Sequence, residues 1–430
     1  MKTVYTKEML KFIDASPTAF HCVKNAADML EEAGYMRFDE KDAWRLSRAR
    51  KGYVVRNGSS LIAFSIPAGD FKGFRIYSAH SDSPTFRLKE SPEMNPECGF
   101  VRLNTEGYGG MIMSSWFDRP LSVAGRVVFE KEGVLETRLV NIDRDLLVIP
   151  NVAIHMNPDT NKGVEYKPQS DLLPVYALAD TKTKLSALIA KEAGVKESEI
   201  LASDLFLYTR QKGCFAGADK ELILSPRLDD QECAFAGVKA LCEIDTGTES
   251  FVPSEYINVL CIFDNEEVGS GTKQGADSTF LEDTLYRIAE SMSLSRTDYL
   301  RLLADSFAIS ADNAHAAHPA MAGKADPVNR PALNKGVVLK FNGSQKYATD
   351  AVSAGFVRSL CRKNDIALQN YANNSNVRGG STLGNISTAH VSVPTADIGL
   401  AQLAMHSSCE TAGAYDVDEL VKLARSFFEG

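Results

Sequence analysis

The chain has no CxxC pair, no HExxH motif, no long apolar run, no low-complexity tract and no excess of positive charge. Each absence removes a class of function. The eight cysteines stand singly at 22, 98, 214, 233, 242, 261, 361 and 409, a scatter that fits neither a thiolate zinc site nor a disulfide scaffold. They read as reduced, mostly buried thiols. Seven histidines are present, but without HExxH the helix-borne zinc site of one protease class is excluded. A formal net charge of -9 at pH 7 and a pI near 5.4 leave no electrostatic footprint for a nucleic acid. The opening MKTVYTKEMLKFIDASP scatters Lys2, Lys7, Glu8 and Lys11 among its apolar residues and does not read as a secretory leader. No later stretch is apolar for long enough to cross a bilayer. The expectation is a cytoplasmic protein with neither membrane nor nucleic-acid partners.

What is present is an ordinary globular composition, 44% apolar and 24% charged over 430 residues, enough for a large core and more than one folded unit. Two helices are expected at the start, the second opened by Ser16-Pro17 as N-cap and first-turn residue. SLIAFSIPAG and FKGFRIYSAH read as strands, and VAGRVVFEKEGVLETRLV as a hairpin turning at Lys131-Glu132-Gly133. Further on, helix-like DDQECAFAGVKALCEI alternates with strand-like YINVLCIF, SFAISA and TADIGL. That alternation is the pattern of a doubly wound α/β sheet flanked by helices. The resulting division is a catalytic domain in two parts, 1–87 and 222–430, split by an inserted mainly-β segment, 88–221.

Four strand-like segments end in groups able to bind metal: RIYSA before His80, NVLCIF before Asp264-Asn265-Glu266-Glu267, FAIS before Asp312, and TADIGLAQLAM before His406. Sites in open α/β sheets form beyond the carboxyl ends of the strands, so this placement would gather residues far apart in sequence. In the HSD triplet a histidine can bind metal through one ring nitrogen while Asp82 holds the other. Asp229 and Asp230 open a helix, where they serve either as N-cap residues or as ligands, one bridging two ions. A solvated charge run would be polar on both sides, but Glu266-Glu267 follows an apolar strand, which favours one glutamate as ligand and one as general base. Asp312, His315 and His318 lie together in SADNAHAAHP. An oxygen and nitrogen donor set of this kind suits zinc, with cobalt or manganese as substitutes.

SPTAFHCV, SAHSDSP, IPNVAIHMN, SPRLDD, FDNEEVGSGT, SADNAHAAHP, KFNGSQKYATDAVS, GGSTLG and LAMHSSCET together resemble the aspartyl aminopeptidase family of dinuclear zinc exopeptidases. The likeness runs along nearly the whole chain. It implies a zinc-exopeptidase fold with an inserted dimerisation domain and two zinc ions per subunit held by His80, Asp229, Glu267, Asp312 and His406. Asp229 would bridge the ions, Glu266 would be the general base, and Asp82 would orient His80. The implied reaction removes the first residue, preferentially Asp or Glu, from peptides with a free N-terminus. His155, His315, Lys340 and Tyr347 would bind substrate, His155 reaching across to a neighbouring subunit in a tetrahedral dodecamer built from dimers. Two other readings are a dinuclear zinc aminopeptidase of broad or neutral specificity and an inactive assembly protein of the same fold.

Overall fold

A computed structural model describes residues 3–48, 50–244, 255–377 and 379–430. The chain divides into two compact units, one of Met1–Asp82, Gly213–Met405 and Glu410–Gly430, the other of Ser83–Lys212 and His406–Cys409.

The first unit is built on a nine-stranded mixed sheet in the order Met36–Phe38, Lys51–Arg56, Ser60–Ser65, Tyr256–Phe263, Gly73–His80, Phe307–Ala311, Thr395–Gly399, Val337–Phe341, Leu368–Ala372. Strands 256–263, 73–80, 307–311 and 395–399 run parallel side by side, so their carboxyl ends share one edge. These central strands are almost wholly buried, which is why their sequences read as continuous apolar runs rather than alternating ones.

Helices cover both faces of the sheet. Val4–Asp14, Ala19–Glu32, Leu228–Glu243, Ala351–Lys363 and Asp416–Glu429 pack their apolar stripes into one hydrophobic cluster. Phe280–Ser291, Arg296–Ala304 and Leu383–Ser387 pack into the other. Helix 228–243 lies close to the sheet because Gly237 has no side chain. A Cβ there would come within 2.6 Å of the Tyr77 ring and 2.7 Å of Leu260. A separate five-stranded sheet, in the order 214–216, 222–225, 410–413, 401–403, 314–315, completes this unit.

The second unit holds a six-stranded antiparallel sheet, in the order 134–141, 121–131, 200–209, 85–93, 100–108, 175–178, with helix Leu185–Ala193 over its core. The expected hairpin is there. Strands Leu121–Lys131 and Val134–Asn141 are joined by Glu132 and Gly133, both at positive φ, the conformation of a tight two-residue turn.

Two local expectations need correcting. The second helix starts at Ala19 with Thr18 as its N-cap residue. Ser16 is instead engaged by the Asn25 amide, which donates to its hydroxyl at 2.8 Å. All eight cysteines are free, but only Cys22, Cys233, Cys261 and Cys361 are buried, and Cys98 and Cys214 are exposed. Among the described residues no helix is long and apolar enough to cross a membrane.

Candidate metal centre and active site

The shared edge of the parallel strands is where the acidic residues collect. His80 ends strand 73–80 and is 1% exposed. Its Nε2 lies 3.4 Å from Asp229 Oδ1, and its Nδ1 lies 3.3 Å from Asp82 Oδ1 and 3.1 Å from the Asp82 carbonyl oxygen. Asp229 and Asp230 occupy the first turn of helix 228–243 in non-helical conformations joined by a cis peptide, and both are buried. The N–H of His80 donates to Asp230 Oδ2 at 3.1 Å. Asp312 follows strand 307–311 directly, with the Lys340 ammonium 3.6 Å from its Oδ2. One donor atom from each of His80, Asp229, Asp230 and Asp312 lies within 4.8 Å of the others, and the same holds for His80, Glu266 and Glu267.

Glu266 and Glu267 sit on the single 3-10 turn after strand 256–263, entered through Asn265 in the left-handed conformation. Asp82 holds this turn in place. Its Oδ1 accepts the Glu266 N–H and its Oδ2 the Glu267 N–H, each at 3.2 Å. Asp82 therefore touches both His80 and the backbone of the glutamate pair.

Electrostatics describe a site short of positive charge. Burial pushes the Glu266 carboxyl up to about 8, an effect that His80 opposes and that Asp312, Asp82 and Asp229 reinforce. Burial first, then Asp229, holds Glu267 well above the usual carboxylate range, and Asp230 is raised by the same desolvation. Burial disfavours a charged His80, yet Asp230, Asp229 and Asp82 outweigh it and favour the imidazolium. Five carboxyl groups around one buried histidine, with no thiolate among them, form a donor set that a hard or borderline divalent cation would neutralise. The residues fit zinc.

Five further sequence-derived residues remain, His406, His155, His315, Lys340 and Tyr347. His406 belongs to the second unit, where its backbone has φ 68 and its Nδ1 lies 2.8 Å from the Gly110 carbonyl oxygen. His155 is exposed in the irregular stretch after Pro150, also in the second unit. His315 is exposed on strand 314–315 with its ring 6.3 Å from that of Tyr371. Lys340 and Tyr347 are buried together, the Lys340 ammonium 5.2 Å from the Tyr347 ring centre and donating to the Asn313 carbonyl at 3.1 Å.

Sequence reasoning weighed Asp229 and Asp230 together and chose Asp229 as ligand, whereas both belong to the cluster. It missed Glu410, buried on strand 410–413, whose carboxylate accepts the Asp229 N–H at 3.1 Å. The available signal was an acidic residue inside the otherwise apolar or small sequence CETAGA.

The family model described as Aminopeptidase I zinc metalloprotease (M18) matches residues 12–428. A Clostridium acetobutylicum protein named probable M18 family aminopeptidase 2 is 45% identical, over 99% of this chain and 98% of its own. The cryo-EM structure of the Ape4 and Nbr1 complex contains a chain 33% identical at TM-score 0.94, covering 99% of this chain and 85% of that one. The S. cerevisiae mApe1 dodecamer is similar at 28% identity and TM-score 0.86, covering 98% and 95%.

Proposed function

This chain belongs to the M18 family of zinc aminopeptidases, the aspartyl aminopeptidase family, and from that premise we propose that it removes acidic first residues from peptides with a two-zinc centre. The observation that carries the reading is the meeting of His80, Asp229, Asp230, Asp312 and the Glu266-Glu267 pair at one edge of the parallel sheet.

In this reading His80, Asp229, Glu267 and Asp312 would hold the ions. His406 is retained as the fifth ligand, as the sequence resemblance implies. Bound zinc supplies Lewis acidity, polarising the scissile carbonyl and acidifying water toward neutrality. Glu266 takes a proton from the attacking water and passes one to the departing amine, general acid–base work for a carboxylate placed beside the ligand cluster. Asp82 keeps Glu266 and His80 in mutual register through the hydrogen bonds already described. Lys340, held beside Asp312 and near Tyr347, would offer the cation to an acidic first residue.

The reading includes self-association into a tetrahedral dodecamer built from dimers, supported by the dodecameric mApe1 relative, with His155 completing a neighbouring active site. A cytoplasmic location accords with eight cysteines that form no disulfide.

The test is hydrolysis of matched substrates with N-terminal Asp, Glu, Leu, Lys and N-acetyl-Asp, before and after chelation and zinc restoration. Zinc-dependent release led by Asp or Glu, with the acetylated control untouched, is expected. Release led by Leu would overturn the acidic preference and leave the broad-specificity alternative.

A further inference from the structure

A second feature lies beyond the metal cluster in the same unit. A cavity of about 250 Å³ is walled by His315, His318, Lys324, Arg330, Tyr371 and Gln402, among others, and no Asp or Glu lines it. In a chain of net charge -9 that is an unusual concentration of basic groups. Exposed lysines and arginines are ordinarily neutralised by nearby carboxylates or simply solvated. Among the described residues, neither Lys324 nor Arg330 has a carboxylate within ion-pair distance, although both face this concave site.

The neutral groups are arranged as donors too. Gln402 is 1% exposed, and its Oε1 is occupied by the Asn313 amide at 3.2 Å. That leaves its buried Nε2 with no acceptor. A buried N–H without a partner costs about 1–3 kcal/mol, so such a group marks a place where an acceptor belongs. His318 accepts the Ala320 N–H through Nδ1 at 3.2 Å, which puts the proton of its neutral ring on Nε2 as a further donor. Strand pairing sets His315 beside Gln402.

The cavity also has a fixed relation to the metal cluster. Lys340 bonds both the Asp312 region and Asn313, and Asn313 bonds Gln402. Tyr347 and Tyr371, with ring centres 6.2 Å apart, stand between Lys340 and His315. His315 is three residues from Asp312, so the two Cα atoms are separated by at most roughly 10 Å, the reach of about three extended residues.

We propose that this cavity binds a carboxylate of the peptide substrate about two residues beyond the scissile bond, through Arg330, Lys324 and the Gln402 amide. The carboxylate is either the C-terminus of a short peptide or an acidic side chain at that position. The proposal rests on placing the reaction at the Asp312 cluster.

The experiment uses tripeptides that share an N-terminal Asp and differ at the far end: Asp-Ala-Ala as free acid and as amide, and Asp-Ala-Glu-amide against Asp-Ala-Gln-amide. The zinc-loaded wild-type protein and its Arg330→Gln and Lys324→Gln variants are compared. Wild-type KM should be about ten-fold lower for whichever carboxylate source fits, the size of one charge-assisted hydrogen bond. In Arg330→Gln the acid-to-amide ratio should collapse towards one, with Lys324→Gln giving a smaller change. Discrimination by the free acid alone identifies the C-terminus, and discrimination by Glu over Gln identifies a side chain. A wild-type ratio near one for both pairs, or an unchanged ratio in both folded variants, overturns the proposal. A Glu266→Gln protein that still turns over these peptides would sink the assignment of the catalytic centre instead, so the two failures are distinguishable.

Discussion

Asp82 offers the sharpest test of how the site is held together. It is 4% exposed, its two carboxylate oxygens accept the N–H groups of Glu266 and Glu267 at 3.2 Å, and its Oδ1 lies 3.3 Å from His80 Nδ1. Asp82→Asn keeps the shape but replaces one oxygen with an amide group that donates. One of the two backbone N–H groups then faces another donor, and the negative charge beside His80 is gone. A hydrogen bond to a charged acceptor contributes about 1.5–3 kcal/mol, so loosening the Glu266 turn by roughly 2–3 kcal/mol is the expectation. At 1.4 kcal/mol per decade that corresponds to a fall in kcat of roughly 30- to 150-fold. KM should change little, because the carboxylate is committed to the protein and not to the substrate. The assay is steady-state hydrolysis of an N-terminal Asp chromogenic substrate, with zinc per subunit measured by mass spectrometry on the same sample, so that lost metal is not mistaken for lost positioning. A variant with full zinc occupancy and wild-type kcat would refute the reasoning. A fall in Tm alone would leave Asp82 as a structural residue.

Glu266→Gln should lower kcat by about 10²- to 10⁴-fold while retaining bound zinc, the magnitude of a lost general base, and residual turnover near wild type would remove Glu266 from that role. The metal-free protein should lose stability as pH rises. Burial lifts the Glu266 carboxyl to about 8 and Asp264 to about 7, above the range of about 4 for unfolded carboxyl groups. Between those limits the folded form binds more protons than the unfolded form, so its stability declines with increasing pH. The Tm of EDTA-treated protein should therefore be lower at pH 8 than at pH 6, with zinc restoring it at pH 8, and a flat or rising apoprotein profile would count against the assignment. Gly399→Ala should fail to fold or melt far lower, because its Cβ would lie 1.9 Å from the Asp312 carbonyl oxygen, a backbone clash beyond the ~1–3 kcal/mol of ordinary overpacking. A wild-type Tm would contradict that geometry.

What the amino-acid sequence made legible was local. Apolar runs ending at His80 and Asp312, and the positive-φ pair Glu132-Gly133, announce strand ends and a turn through their immediate neighbours alone. The features that escaped it depend on which strands are neighbours. No spacing shows that the 406–409 segment groups with residues 83–212, since that follows from tertiary contact. The place of Gln402 beside His315 likewise follows only from the pairing of strands 314–315 and 401–403. Asp82 illustrates the physical reason most directly. Strands 73–80 and 256–263 run parallel with His80 opposite Phe263, so both chains leave the sheet at the same level. Two residues past His80 and three past Phe263, the Asp82 carboxylate meets the N–H groups of the Glu266-Glu267 turn. A register shift of one residue would turn every side chain of one strand to the opposite face and break that meeting. The HSD triplet and the Glu-Glu pair can each be read as candidate ligands from the sequence, but their coupling is a property of the register that joins them.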